Sequence, residues 1–335
     1  MSAATALTDE IDALATEKAF SGVVRVDRGV DTVFERAYGF ADRRWEIPNA
    51  GDTRFAIASG VKGLTAVAVV SLIEDGTLDL ATTARSVLGN DLPLIDDRVT
   101  VEHLLAHRSG IGDYFDEDLP GEIIDHVLPV PVHTLAETED YVGVLDGFTT
   151  KFSPGERFSY CNGGYVVLAL IAERASGVTF HDLVGRRVCE PAGMSDTAFL
   201  RSDELPERVA LGYLYADGLR TNILHLPVRG SGDGGMYTTA GDIRKLWTSF
   251  FAGEIVSREW VAQMVRPRSE AGTNRYGLGF WLHVTTDTVI LEGYDAGVSF
   301  RSLHDPHANL TATVISNWSD GAWDIASSLA LKLGL

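Results

Sequence analysis

The chain has 335 residues, of which 45% are hydrophobic and 22% are charged, which is the composition of a globular protein long enough for two packed domains. Its formal net charge is −19, and this excludes nucleic acid and anionic membrane surfaces as partners, because both attract basic proteins. No run of about 18 consecutive apolar residues occurs, so the sequence predicts no membrane-spanning helix.

The N-terminal segment predicts a helix followed by a hairpin. Its first residues have neither the basic start nor the apolar run of a secretory signal, so we expect a cytoplasmic protein whose two cysteines remain reduced. Residues 8–19 have a helical pattern, and β-rich runs follow at residues 22–28 and 32–39. The intervening Gly29-Val-Asp predicts a hairpin turn.

An apolar stretch over residues 59–76 predicts a long buried helix that ends at Asp75-Gly76. Ser59 and Lys62 lie in its first turn, and their spacing places both side chains on one face of the helix. A serine hydroxyl needs a neighbouring base to act as a nucleophile, and Lys62 can be that base if burial lowers its pKa. The alternative is a lysine that extends from the helix end into solvent.

The middle of the chain, residues 79–235, is rich in helices and loops and contains a second motif, Tyr160-Cys161-Asn162. A tyrosine can complete a proton relay and an asparagine can hold its geometry, as in serine acylases with an S-x-x-K motif. We interpret Cys161 as a small buried residue and not as a catalytic thiol. Candidate helices lie at residues 100–107, 138–145, 165–176 and 180–188.

Two further patterns in this region are weighed against that chemistry. His103 and His107 have the spacing of a helical zinc pair but lack the accompanying glutamate and a third ligand, so we interpret them as structural. The glycine-rich segment 230–235 lacks the strand and helix of a dinucleotide-binding unit, so it is more plausibly a loop that borders the cleft. The sequence therefore predicts neither a metal nor an organic cofactor.

Strand patterns return near the C-terminus and determine the predicted fold class. Residues 239–251 predict a helix with a capping box, and residues 323–333 predict a closing helix. Strands are expected at residues 277–283, 288–291, 298–303 and 310–317. Because a lone N-terminal hairpin is only marginally stable, we predict an α+β fold in which both chain ends share one antiparallel sheet flanked by the first and last helices. Residues 1–78 and 236–335 would form this sheet domain, and residues 79–235 an inserted, mainly helical domain.

Four segments in order resemble the serine β-lactamase and penicillin-recognising family, on its class C, carboxylesterase and D-aminopeptidase side. They are residues 55–66 around Ser59 and Lys62, the His-Leu-Leu-Ala-His segment within 101–111, residues 153–165 around Tyr160 and Asn162, and residues 232–242. The resemblance covers roughly residues 15–330. It implies a β-lactamase/transpeptidase-like fold with a cleft between sheet and helical domain.

The third motif of that family departs from the pattern. Where the family has Lys-Thr-Gly or His-x-Gly, this chain has Glu292-Gly-Tyr294-Asp-Ala-Gly297, with Tyr294 in place of the usual cation. We assign Tyr294 to substrate binding or a weak proton relay. Arg301, expected on the same strand, could compensate for the missing charge, although strand alternation could equally turn it away.

The residues and the resemblance together imply a two-step serine hydrolase. Ser59 attacks a carbonyl, and a mutually hydrogen-bonded Lys62 and Tyr160 take its proton. Asn162 orients Lys62 and the substrate, while backbone N–H groups of Ser59 and of the strand near Gly297 form an oxyanion hole. The expected substrate is a small-molecule ester with an uncharged acyl part. A β-lactam or D-amino-acid amide is the alternative, and a non-turnover binding module is the alternative of another class; the oligomeric state stays open.

Overall fold

The computed structural model describes residues 3–335, and these residues form a mixed α+β fold around a large antiparallel sheet. The order of its eight strands is β2-β1-β12-β11-β10-β9-β8-β7, and two small two-stranded sheets are β3-β4 and β5-β6. The strands are β1 (Gly22–Arg28), β2 (Asp31–Tyr38), β3 (Phe40–Asp42), β4 (Ile47–Pro48), β5 (Phe55–Ala56), β6 (Tyr237–Thr238), β7 (Ser269–Ala271), β8 (Asn274–Tyr276), β9 (Trp281–His283), β10 (Val289–Asp295), β11 (Val298–Asp305) and β12 (Leu310–Ser316).

Helices cover both faces of the sheet and fill the region between the N-terminal and C-terminal strands. The α-helices are α1 (Ala3–Glu17), α2 (Val61–Glu74), α3 (Ala84–Leu88), α4 (Val101–Leu105), α5 (Val142–Leu145), α6 (Asn162–Ser176), α7 (Phe180–Val184), α8 (Glu190–Ala192), α9 (Ala240–Ala252), α10 (Arg258–Met264) and α11 (Trp323–Leu333). Short 3₁₀ turns lie at Ala58–Gly60, Ile123–Asp125, Val132–Thr134 and Thr138–Tyr141, and a π-helical turn at Gly185–Cys189. Among the described residues, no helix is both long and apolar enough to cross a membrane.

Strands from both ends of the chain pair within the large sheet, as predicted. β1 pairs with β2 on one side and with β12 on the other, in a register that places Gly22 opposite Ser316. Side chains alternate between the two faces, because successive residues of a strand point in opposite directions. Val24 and Val314 pack against α1 and α11, whereas Val23 and Ile315 belong to the core around α2.

Helix α2 is buried along its whole length, which explains why its sequence is apolar on every side. All residues from Val61 to Ile73 are buried, and the helix packs against α6 and the sheet. A helix without a polar face must lie in the interior. The turn that precedes this helix contacts β10, which fixes the position of the start of the helix.

Several predicted elements differ from the structure in their limits. The strand expected at residues 277–283 begins only at Trp281, because Gly277 N–H bonds to Phe280 O and Gly279 has φ +89°, which closes a turn. β10 extends four residues beyond the predicted end at 291, to Asp295. The hairpin of β7 and β8 was not expected, because these short edge strands are polar. The division into residues 1–78 with 236–335 and an insertion at 79–235 stays a prediction.

Candidate active site

Ser59 lies in a tight turn between β5 and α2, at the edge of β10. The preceding residue, Ala58, has φ +44°, a strained conformation for a residue with a side chain, and such strain is found most often at functional sites. Gly293 of β10 packs so closely against this turn that a Cβ at this position would lie 1.9 Å from Ile57 O. The turn and the strand thus hold the Ser59 side chain at the surface of a cleft.

Lys62 is one turn further along and is only 2% exposed. Its amine lies 2.7 Å from Ser59 Oγ, 2.8 Å from Asn162 Oδ1 and 2.8 Å from Asp233 O. Burial lowers the pKa of Lys62, while nearby carboxylates, Asp233 foremost, act in the opposite direction. In the neutral amine, the asparagine and backbone oxygens can take both N–H groups, which leaves the lone pair directed at Ser59.

Asn162 begins α6 and is held on both sides of its amide. Its backbone N–H donates to Asp113 Oδ2 over 2.6 Å, and its side-chain Nδ2 donates to Phe115 O over 3.0 Å and to Glu117 Oε1 over 2.8 Å. Because two acceptors hold the NH₂ group, the Oδ1 atom must face Lys62. The position predicted for Asn162 therefore depends on Glu117, a residue that the sequence analysis did not identify.

Tyr160 lies on the other side of Ser59, within an aromatic cluster. Its ring stacks on His107 at 4.3 Å and on Trp281 at 5.7 Å between centroids, and the Lys62 amine lies 4.9 Å from its centroid. Burial raises the pKa of Tyr160 well above its usual value, whereas a hydrogen bond with the Ser59 side chain acts in the opposite direction. Ser59 thus contacts both partners that the sequence predicted.

The prediction of a direct hydrogen bond between Lys62 and Tyr160 is wrong. Across the described residues, the acceptors of the Lys62 amine are Ser59 Oγ, Asn162 Oδ1 and Asp233 O, and the amine meets the face of the Tyr160 ring. Asp233 O accepts the hydrogen bond from the amine that was predicted for the Tyr160 hydroxyl. The serine hydroxyl therefore stands between the two groups and can exchange protons with each.

Gly297 is not a free donor for an oxyanion, which corrects that assignment. Its N–H donates to Ser319 Oγ over 2.9 Å, within the turn that joins β10 to β11. Only Ala296 and Gly297 separate the last pair of this hairpin, Asp295 and Val298, so this pair exchanges the ladder hydrogen bonds. The next residue, Tyr294, consequently directs its N–H away from β11 and toward the Ser59 turn.

The Tyr294 side chain lies at the rim of the cleft and is 38% exposed. Its ring meets Trp323 edge-on at 5.7 Å, and burial together with Asp320 raises its pKa to about 12. A phenol with this pKa stays protonated near neutral pH, and the assignment of Tyr294 to substrate binding or a weak proton relay stays a prediction. Arg301 bonds to Glu292 Oε2 over 2.6 Å and stacks over Trp323, so its charge is already neutralised.

The remaining residues singled out in the sequence have structural roles around this cleft. His103 takes part in the capping box of α4 with Thr100, and His107 accepts a hydrogen bond from Cys161 N over 3.1 Å. Burial raises the pKa of the Cys161 thiol well above its usual value, so it is not a thiolate nucleophile. The glycine-rich segment 230–235 does border the cleft, and its Asp233 accepts a hydrogen bond from Tyr114 over 2.5 Å.

Comparison with known proteins gives three findings. Residues 7–332 match the family model described as Beta-lactamase. The chain is similar to a D-aminopeptidase of Brucella anthropi (28% identity, 92% of this chain and 58% of the relative) and to esterase EstB of Burkholderia gladioli (31% identity, 60% and 52%). It thus spans little more than half the length of these curated relatives. It also resembles the crystal structure of a penicillin-binding protein from Bacillus halodurans, with a TM-score of 0.89, 35% identity and coverage of 96% of this chain and 99% of the other.

Proposed function

The chain belongs to the beta-lactamase family, a family of serine hydrolases, and within it we propose that the protein is a carboxylesterase. It would cleave esters of small acyl groups that carry no negative charge, through an acyl-enzyme on Ser59. Similar proteins include an esterase and a D-aminopeptidase, so the fold accommodates both ester and amide substrates.

In the acylation step, Ser59 would attack the ester carbonyl while its proton passes to Lys62. The 2.7 Å contact between Lys62 Nζ and Ser59 Oγ supports this, because a base must lie within hydrogen-bond reach of the proton that it removes. The developing oxyanion would be stabilised by the N–H groups of Ser59 and Tyr294. The first lies at the start of a helix, where N–H groups have no partner within the helix.

Tyr160 would donate its own phenolic proton to the leaving alkoxide, which leaves a Tyr160 phenolate while Lys62 keeps the proton of Ser59. The raised pKa of Tyr160 keeps the phenol protonated before this step, and its hydrogen bond with Ser59 connects it to the reacting oxygen. In the second step, a water would replace the alcohol, the Tyr160 phenolate would remove its proton as it attacks the acyl-enzyme, and the Lys62 ammonium would return its proton to Ser59. Hydrolysis of the acyl-enzyme releases the acid and restores Ser59.

The charges of the cleft are the observation that supports an ester over a β-lactam as substrate. Within the described residues, the cavity beside Ser59 has two carboxylates, Asp233 and Asp295, in its lining and no lysine or arginine. The carboxylate of a β-lactam would lack a charge-assisted partner here and would face like charges. Arg301 cannot supply that partner while it is paired with Glu292.

The test is a parallel hydrolysis screen with p-nitrophenyl butyrate, nitrocefin and D-alanyl p-nitroanilide. The wild type should hydrolyse the ester with a kcat/KM at least ~10-fold above that for nitrocefin. Ser59→Ala, assayed in parallel, identifies turnover that does not depend on the proposed nucleophile. A wild type that cleaves nitrocefin better than every ester tried would refute the esterase assignment, and absence of Ser59-dependent turnover on all three would favour a binding module.

A further inference from the structure

Acidic residues line both cavities on the approach to Ser59. A second cavity adjoins the first one and shares Tyr114, Phe115 and Tyr294 with it. In the part of the chain that the structure describes, its lining contains no lysine or arginine but includes five acidic residues, namely Asp113, Asp116, Glu117, Glu122 and Asp125. Two adjoining cavities with this lining would concentrate cations and exclude anions.

Asp295 lines the cavity beside Ser59, here called the inner cavity, and has no paired cation among the described residues. It ends β10 directly after Tyr294, and its Oδ1 accepts the N–H of Ala296 over 2.8 Å. No arginine or lysine among residues 3–335 forms an ion pair with it, although Lys62 is close enough to influence its charge. The other inner carboxylate, Asp233, is instead held by Tyr114.

An enclosed carboxylate without a cation is costly to keep charged, and Asp295 reflects that cost. Burial raises its pKa to about 7, with Asp233 and Glu117 acting in the same direction. A cation bound beside it would offset the loss of water and the repulsion by the other acids. Another part of the wall of the inner cavity is apolar and includes Leu200, Leu226 and Val228.

We propose that Asp295 determines specificity by binding a protonated amine on the acyl part of the substrate. The substrate would then be an ester or amide of a small amino acid with an apolar side chain, the ammonium at Asp295 and the side chain on the apolar wall. This inference rests on the proposed serine hydrolase function and narrows its substrate class. An uncharged acyl group would still react, but it would leave Asp295 without a partner.

The experiment compares substrates with and without this charge. Ethyl esters of D-alanine and L-alanine are assayed with a free amino group and after N-acetylation, by titration of the released acid at pH 7, where the ammonium form predominates because its pKa is about 8. In the wild type, kcat/KM for the ammonium ester of at least one enantiomer should exceed that of its acetylated form by ~10-fold or more. Asp295→Asn keeps the acceptor for Ala296 N–H, and should lower this ratio by ~10-fold or more.

The matched control is Asp287→Asn, which removes the same charge at the opposite end of β10, where the Asp287 side chain is 74% exposed. It should leave the ratio unchanged. If the ratio falls equally in both variants, and if about 0.5 M salt abolishes this fall by screening long-range charges, then the net charge and not Asp295 attracts the amine. That result would overturn the proposal.

A measurement on the wild type alone covers the case in which Asp295→Asn does not fold. Hydrolysis of p-nitrophenyl butyrate should be inhibited competitively by n-pentylammonium at a concentration ~10-fold below that needed for 1-pentanol. Equal inhibition by both would overturn the proposal. If the enzyme hydrolyses the butyrate through Ser59 but shows no preference for ammonium esters, this inference alone is refuted. If no ester is hydrolysed through Ser59, the proposed function is refuted as well.

Discussion

Asn162 Oδ1 accepts a hydrogen bond of 2.8 Å from the Lys62 amine, and it can do so because Glu117 holds the other end of the same amide. This orientation determines where the proton-accepting lone pair of Lys62 can point. With Asn162 Oδ1 and Asp233 O as fixed acceptors, the third direction around the nitrogen leads to Ser59. Glu117 is therefore a positioning residue, which acts on the serine through Asn162 and Lys62.

Glu117→Ala removes the acceptor on the amide of Asn162 and should lower kcat by ~10-fold, because small errors in geometry weaken proton transfer strongly. Glu117→Gln retains an acceptor and should lose less. The Glu117 carboxylate also raises the pKa of Lys62, so both variants should shift the acidic limb of the pH–rate profile to lower pH. Asp118→Asn, at a neighbouring carboxylate that is 70% exposed, is the control and should not shift the profile. A profile that stays in place in Glu117→Ala would contradict this role.

The serine and the lysine should prove interdependent. Ser59→Ala should abolish turnover, and Lys62→Met, which keeps an unbranched side chain in the buried site, should lower kcat/KM by at least ~10²-fold. The double variant should be no slower than Ser59→Ala alone, since groups that act as a unit are not additive. Kinetics on p-nitrophenyl butyrate and labelling of Ser59 by a fluorophosphonate report the two effects separately. Full labelling of Lys62→Met at the wild-type rate would show that another group is the base.

Much of this site could be predicted from the sequence, because its parts follow local rules. The spacing of Ser59 and Lys62 on a helix places them side by side, and the apolar flanks of Lys62 indicate that the helix is buried. The prediction that the first and last strands share a sheet also follows from the marginal stability of a lone hairpin. Each of these inferences depends on residues close together in sequence or on a pattern with a known period.

The parts that were missed depend on where distant loops run. The Asp233 carbonyl meets Lys62 through the path of a glycine-rich turn, and Glu117 reaches Asn162 from a loop without a periodic pattern. Ser319, from the segment after β12, occupies the N–H of Gly297 and so moves the available donor to Tyr294. The register of the two-residue hairpin makes that correction clear, but the sequence prediction ended β10 four residues too early, at 291 instead of Asp295.

The pH dependence of the wild type follows from opposite shifts in its two proton carriers. Burial lowers the pKa of Lys62 and raises that of Tyr160, so Lys62 loses its proton first and Tyr160 keeps its own. Activity requires neutral Lys62, and the rate should rise with pH to a plateau that begins below the pKa of free lysine, about 10.4. Tyr160→Phe retains the stacking on His107 and Trp281 but should lower kcat by at least ~10²-fold. A maximum near pH 5 would contradict the assignment of Lys62 as the base.

The close contact between Gly293 and the Ser59 turn gives a test of the oxyanion hole. In Gly293→Ala the new Cβ would lie 1.9 Å from Ile57 O, so β10 and the turn must separate and the Tyr294 N–H must move from the carbonyl of the substrate. Loss of one such donor typically lowers kcat by ~10²–10³-fold. The control is Gly143→Ala in α5, where a Cβ meets nothing within 4 Å and the substitution should preserve activity and leave Tm equal or higher. Because Gly293→Ala also crowds the core, circular dichroism and Tm must accompany the kinetics. A folded Gly293→Ala with wild-type kcat would show that Tyr294 does not stabilise the oxyanion.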